Sequence, residues 1–347
     1  MDCKKKLFGV YKNQSVYSFV FTNNNGFSVE CISYGATLKA LYFPRRQSAS
    51  ENKSVVLGYD NLDDYLKDVY FLGSCIGRTA GRIGKASFEL NGKIYNIDKN
   101  DGDNNLHGGK NGFHSLIWNG QIINGEKTGV KFFKAVKSDD DAFPGNMSLE
   151  ITYLLNNDNE LEIVFKGTSD KATLFNPTNH AYFNLNSNQD DGILNHYLML
   201  NADKYLKTDE TLIPTGDKID VKMSAYDFTK ERLIDDSLKI LTKNYSIKGA
   251  GLDTPFCLNS SVAAVLKNAD KSRCITIVTD RNAMVVYTSN YFDSKQTIND
   301  IYSKPYMAIA LEAQILPDAI HHKNFGNTAV MESETKEYKT IIQMRQY

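Results

Sequence analysis

The chain has 347 residues, 40 Lys and Arg against 41 Asp and Glu, and a formal net charge of −1 at neutral pH. That length supports one large fold whose core needs no disulfide or metal staple, and the near-zero charge excludes a protein built to coat nucleic acid or an anionic membrane. Five cysteines with no C-x-x-C spacing, and no apolar run of transmembrane length, point to a reduced cytoplasmic protein.

In chain order, the segment after Lys4–Lys6 is too short and polar for a signal-peptide core. Val16–Thr22 and Phe27–Tyr34 alternate with period two and read as strands. Leu62–Leu66 reads as a short helix. Phe88–Leu90, Asn91-Gly92 and KIYNI form a hairpin signature, because Asn-Gly supplies the two positive φ angles of a type I′ turn. Val130–Val136 is a further strand. Leu149–Leu155 and Glu160–Phe165 pair across NNDN, Ser224–Leu241 has helical pattern, and Cys274–Thr279 closes the series. Arg45–Lys53, Lys137–Asp141 and Asn186–Gly192 read as loops, none long enough to divide the chain into separate domains. Strands at this spacing, without crossover helices, predict an all-β sandwich or barrel with few short helices, one domain over residues 1–347.

The chemistry is sought in motifs. No Walker A loop, G-x-G-x-x-G or HExxH is present, so neither cofactor nor metal is expected. His321 and His322 are adjacent, and in a strand they would face opposite ways. Three segments look unlike packing. Asn105-Leu106-His107-Gly108-Gly109 sets a histidine among glycines that permit close backbone approach. Asn176–Leu185 (NPTNHAYFNL) is a polar run in an expected strand, either a hydrogen-bond network or a ligand-facing wall around His180. In YMAIALEAQIL, Glu312 interrupts an apolar strand and shares its face with Ala308, Ala310 and Gln314. A desolvated carboxylate there has its pKa pushed up, which makes it a useful base near neutrality. Each segment also has a structural reading: a turn-capping His107, a satisfied core His180, an outward-facing Glu312.

Taken in order, GRTAGRIG from Gly77, FELNGKIY, NNLHGG, Phe143-Pro144-Gly145, PTNHAYFNL, Tyr205–Gly216, Leu252–Phe256, Val286–Asn290 and LEAQILPDAI resemble the aldose 1-epimerase (galactose mutarotase) family. The resemblance runs from about residue 8 to the end. It implies a large antiparallel β-sandwich binding one monosaccharide, galactose or glucose, without cofactor, as a monomer or homodimer with no membrane partner. Position by position it makes Glu312 the general base and His180 the general acid. Arg82 and His107 would hold the ring-side oxygens, and Asp253 the sugar hydroxyls. Phe256 and Tyr182 are candidates to stack on the sugar. Gly81 and Val285 depart from the family pattern, which leaves the preferred sugar open. A bell-shaped pH profile is expected, with its acid limb on Glu312 and its alkaline limb on a His180 raised by a neighbouring carboxylate. Competing readings are an epimerase of hexose 6-phosphates, which would want an Arg or Lys fork for phosphate, a non-catalytic sugar sensor, and a glycoside hydrolase, which would usually need two carboxylates.

Overall fold

In the computed structural model, which describes residues 1–44, 53–244 and 250–347, three antiparallel sheets carry most of the chain. The largest has nine strands. It runs from Asn119–Ile123 through Thr128–Val136, Met147–Leu155, Glu160–Ser169, Thr335–Gln346, Arg273–Thr279, Val262–Lys267 and Tyr197–Leu200 to Arg232–Leu233. A six-stranded sheet has the order Tyr182–Phe183, Ile309–Gln314, Ala283–Tyr287, Asp253–Cys257, Lys204–Thr208, Pro214–Asp220. The first four strands, Asp2–Tyr11 to Thr37–Tyr42, form a meander beside them.

Alternation decides what each sheet buries. Along Met147–Leu155 every second residue from Met147 is buried, the pattern of a strand with one face on the core. Ile151, Ile163, Phe165, Ile277 and Ile342 of the nine-stranded sheet share a core cluster with Met284, Val286, Ile309, Leu311 and Ala313 of the six-stranded sheet. Each of these side chains larger than alanine contributes roughly 1.5–3 kcal/mol on full burial. The result is a β-sandwich. Part of the six-stranded sheet's second face is also covered, where Ala310 and Tyr182 join a separate cluster with Tyr59 and Tyr65.

The strands and the helix Leu62–Leu66 form where the sequence places them. Asn91 and Gly92 have φ of 53° and 75° in the hairpin turn. Four expectations change. Ser224–Leu241 is helical only from Ile234, because Asp227 and Ser224 spend their side chains on local turns with Thr229 and Val221. Lys137–Asp141 contains one helical turn, Ser138–Asp141, with the Asp140 carboxylate accepting from Lys137 N–H. Asn176–Leu185 is two short strands, Thr178–Asn179 and Tyr182–Phe183, that pair with different partners. His321 and His322 sit in a turn, where both rings approach Asp318, at 2.7 and 3.9 Å. Asn186–Gly192 is a loop with a 3-10 turn at Gln189–Asp191, and Arg45–Lys53 lies outside the described residues apart from Lys53. No described helix is long and apolar enough to cross a membrane, and the five cysteines are free thiols.

Candidate active site

Register in the six-stranded sheet builds one wall of a cavity of about 290 Å³. Pro255, Val285 and Glu312 lie in one cross-strand row, and Asp253, Tyr287, Ala310 and Tyr182 in the next. With period two, all of these point away from the sandwich core. Phe256, one residue out of phase with Asp253 and Pro255, is fully buried in the core. The stacking role considered for Phe256 is therefore corrected by its parity; Tyr182 does line the cavity.

Glu312 is 3 % exposed, which rules out the outward-facing reading, and its Oε2 has no hydrogen-bond partner. Burial pushes its carboxyl up to about 8; the neighbouring Asp253 charge adds to the shift and Arg82 opposes it. Burial likewise raises Asp253, against the pull of Arg82.

The polar run around His180 turns out to be both things the sequence allowed. Asn176 bonds both ways to the Ile315 backbone (3.0 and 2.9 Å), and Thr178 donates to Ala313 O (2.8 Å). Asn179 donates to Gly73 O (2.7 Å) and Asn184 to Met307 O (2.8 Å). The bonds to Ala313, Ile315 and Met307 tie the run to the strand carrying Glu312 and its flanks, and the Asn179 bond ties it to Gly73, while His180 faces the cavity. Its Nε2 stands 3.5 Å from Glu312 Oε1, and its Nδ1 is buried without a partner. Burial brings His180 down to about 4, so the sequence expectation of a raised His180 is corrected. Desolvation by the packed strands outweighs the nearby carboxyl, which is itself kept neutral by burial.

His107 sits at φ 55°, followed by Gly108 and Gly109 at φ 81° and 80°. A Cβ on Gly108 would lie 2.0 Å from Gly77 O, so only glycine fits that left-handed turn. The turn brings His107 against Gly81. His107 N–H donates to Gly81 O (3.0 Å) and Nδ1 accepts from Gly81 N–H (3.3 Å). The imidazole proton is thereby left on Nε2. Burial, with His180 and Arg82 nearby, holds His107 well below its ordinary range.

The two arginines of GRTAGRIG have different surroundings. Arg78 is fully buried and grips Asp141 through two bonds of 2.7 and 2.9 Å, a structural pair. Arg82 lines the cavity, its Nε donating to Asp101 (2.7 Å). The cavity therefore gathers all five residues named from the sequence: Glu312, His180, Arg82, His107 and Asp253. Gly81 and Val285, the two departures, line it as well.

Two further lining residues were not assigned from the sequence. Gln314, fully buried on the face of Glu312, has neither amide atom hydrogen-bonded. Phe71, at φ 59°, packs edge-on against His107 and His114 at 5.0 and 4.9 Å. The bend that presents it is held by Asp68, which accepts from Tyr70 and Leu72 N–H (2.9 and 2.7 Å). No motif announces either residue. The alternation of LEAQ does put Gln314 beside Glu312.

His107, His180 and Glu312 each offer a ligand atom within 4.8 Å of the others. This corrects the sequence reading, in which no ligand cluster was visible because the three residues come from distant segments. A neutral pair of imidazoles and one carboxylate suit a divalent transition metal. They equally suit proton transfer between carboxyl and imidazole.

A sequence model of the aldose 1-epimerase family matches residues 17–343. The chain is 36% identical to the aldose 1-epimerase of Streptococcus thermophilus over 99% of this chain and 98% of that one. It is 34% identical to a maltose epimerase of Levilactobacillus brevis over 99% of both chains. The crystal structure of a galactose 1-epimerase from Lactobacillus acidophilus superimposes with a TM-score of 0.86 at 29% identity, covering 99% of each chain. The chain belongs to the aldose 1-epimerase family.

Proposed function

We propose that this member of the aldose 1-epimerase family interconverts the α and β anomers of free aldohexoses such as galactose and glucose by acid–base ring opening and reclosure. The observation that carries the reading is the Glu312–His180 pair, 3.5 Å apart on the wall of a sugar-sized cavity. Opening an aldopyranose removes the proton from the C1 hydroxyl and adds one to the ring oxygen, O5. Glu312 as carboxylate takes the first and His180 as imidazolium gives the second. One proton on the pair is therefore enough, because opening moves it to Glu312 and reclosure returns it to His180. Rotation by half a turn about C1–C2 between the two steps inverts the anomer.

In the free protein both groups favour their neutral forms, so the shared proton rests on Glu312. That is the protonation of the open-chain state. The hydroxyls of a bound ring supply polar contacts that stabilise the charged arrangement needed to open it. Arg82 and the Nε2–H of His107 are fixed donors for oxygens on which negative charge builds, and Asp253 accepts from sugar hydroxyls. Each well-placed acid or base typically contributes about 10²–10⁴-fold.

The test is polarimetry of freshly dissolved α-D-galactose and α-D-glucose with and without protein. Accelerated approach to the same equilibrium rotation is expected. No acceleration with either sugar, with glucose 6-phosphate turned over instead, would overturn the assignment.

A further inference from the structure

Among the described residues, three non-glycine ones that line the cavity hold positive φ: Phe71 at 59°, His107 at 55° and Leu212 at 61°. Such a backbone is unfavourable for any side chain larger than glycine's and persists only where its surroundings impose it. His107 already has a role. Leu212 belongs to a turn of its own, in which Asp209 Oδ1 accepts from Thr211 and Ile213 N–H (2.8 and 3.0 Å). Phe71 differs, because its ring meets the imidazoles of the site. We propose that Phe71 is a positioning residue for the acid–base pair: its ring holds the imidazoles of His180 and His107 in the orientation that proton transfer requires, and Asp68 holds its backbone. The proposal rests on the anomer-interconversion reading above and adds a residue to it.

Three observations support it. The first is that no bond orients the His180 ring at its far nitrogen: Nδ1 is buried without a partner, whereas a catalytic histidine is ordinarily fixed there. Packing is left to hold the ring. It comes from Phe71 at 6.0 Å and Tyr182 at 4.9 Å, with interplanar angles of 35° and 36°. The phenyl ring also lies 5.0 Å from His107 at 68°, and the two imidazoles stand 5.3 Å apart at 85°. One side chain therefore meets both histidines. Secondly, the bend that carries Phe71 runs on into the main chain of His180. Phe71 O accepts from Ser74 N–H (3.1 Å), Gly73 N–H donates to His180 O (3.0 Å), and His180 N–H donates to Ser74 O (2.9 Å). Thirdly, that bend is fixed at its start. Asp68 Oδ1 accepts from Tyr70 N–H and Tyr59 O–H (2.9 and 3.1 Å), and Oδ2 from Leu72 N–H (2.7 Å). Phe71 is only partly buried, so the core gains little from a ring held at such a backbone.

The ring also keeps water from the imidazoles. Burial brings His180 down to about 4. The titratable groups facing it are Glu312, at 3.5 Å, and the rings of His107 and Tyr182. His114, 4.9 Å from the same phenyl ring, adds to the lowering. Removing the phenyl ring admits water beside His180, which favours its charged form and moves its titration up.

The experiment measures kcat, KM and the pH profile of α-D-galactose and α-D-glucose mutarotation in the wild type and in Phe71→Gly, with folding checked by circular dichroism. Glycine takes φ 59° without strain, so the substitution removes the ring and leaves the bend. The kcat is expected to fall at least about tenfold. The acid limb of kcat/KM, where His180 takes its proton, is expected to move up by at least about half a pH unit. Should Phe71→Gly fail to fold, Phe71→Leu gives the same two readings, since leucine holds a similar φ at Leu212. A folded variant whose kcat falls less than that, or whose acid limb moves less, overturns the positioning role and leaves the epimerase reading standing. A wild type that accelerates neither sugar overturns the epimerase reading and this proposal with it.

Discussion

His180 Nε2 lies 3.5 Å from Glu312 Oε1 in a setting where burial disfavours a charge on either group. The two therefore hold one proton between them over a wide pH range. That proton count, rather than a fixed charge on each residue, is what a reversible ring opening needs.

The first prediction is a bell-shaped kcat/KM profile. It should have one limb near about 4, where the pair takes a second proton, and one near about 8, where it loses its last. In the free protein the acid limb follows His180 and the alkaline limb Glu312, the reverse of the assignment expected from unperturbed values. His180→Asn should remove the acid limb and lower the rate at least about 10²-fold. A full bell at near-normal rate in that variant would move the acid to another group.

Stability should carry the same signature. The Glu312 carboxyl is raised from 4.5 to about 8, so as pH rises through that window the unfolded chain releases its proton first. The folded state is then destabilised by up to about 1.4 kcal/mol per pH unit. Glu312→Gln removes the titration, so its Tm should gain on the wild type as pH goes from 5 to 8. A Tm difference independent of pH would contradict a buried, protonated Glu312.

How much of this was legible in the sequence depends on the kind of signal. Period two fixed that Glu312 shares a face with Gln314, and the register then placed Val285 and Asp253 on that same side. The glycines around His107 marked a close approach that the 2.0 Å clash at Gly108 explains. By contrast, nothing local separates Arg78 from Arg82 in GRTAGRIG: the family resemblance alone singled out Arg82, and tertiary partners make one a buried ion pair and the other a lining residue of the cavity. Phe71 and Leu212 were illegible for a different reason. Each holds a positive φ that composition does not advertise, imposed by carboxylates at Asp68 and Asp209. The metal-capable triad likewise exists only once three distant segments meet.

Gln314 has both amide atoms buried without partners, an arrangement that costs about 1–3 kcal/mol when nothing satisfies it. Gln314→Met should therefore raise stability in the free protein while raising KM severalfold with kcat little changed. Unchanged KM in a folded variant would show that the amide does not touch the sugar.

The donor set of His107, His180 and Glu312 should make the protein sensitive to added Zn²⁺. Inhibition competitive with sugar and reversed by EDTA is expected, and EDTA alone should leave the rate unchanged. Loss of activity in EDTA that a divalent metal restores would instead make the metal a required component.

The most direct test of the central claim is the initial mutarotation rate of α-D-galactose with Glu312→Gln, checked for native folding by circular dichroism. The amide keeps the shape of the carboxyl but cannot accept the C1 hydroxyl proton, so kcat should fall by at least about 10²-fold. A folded variant that retains more than about a tenth of the wild-type rate would contradict Glu312 as the base.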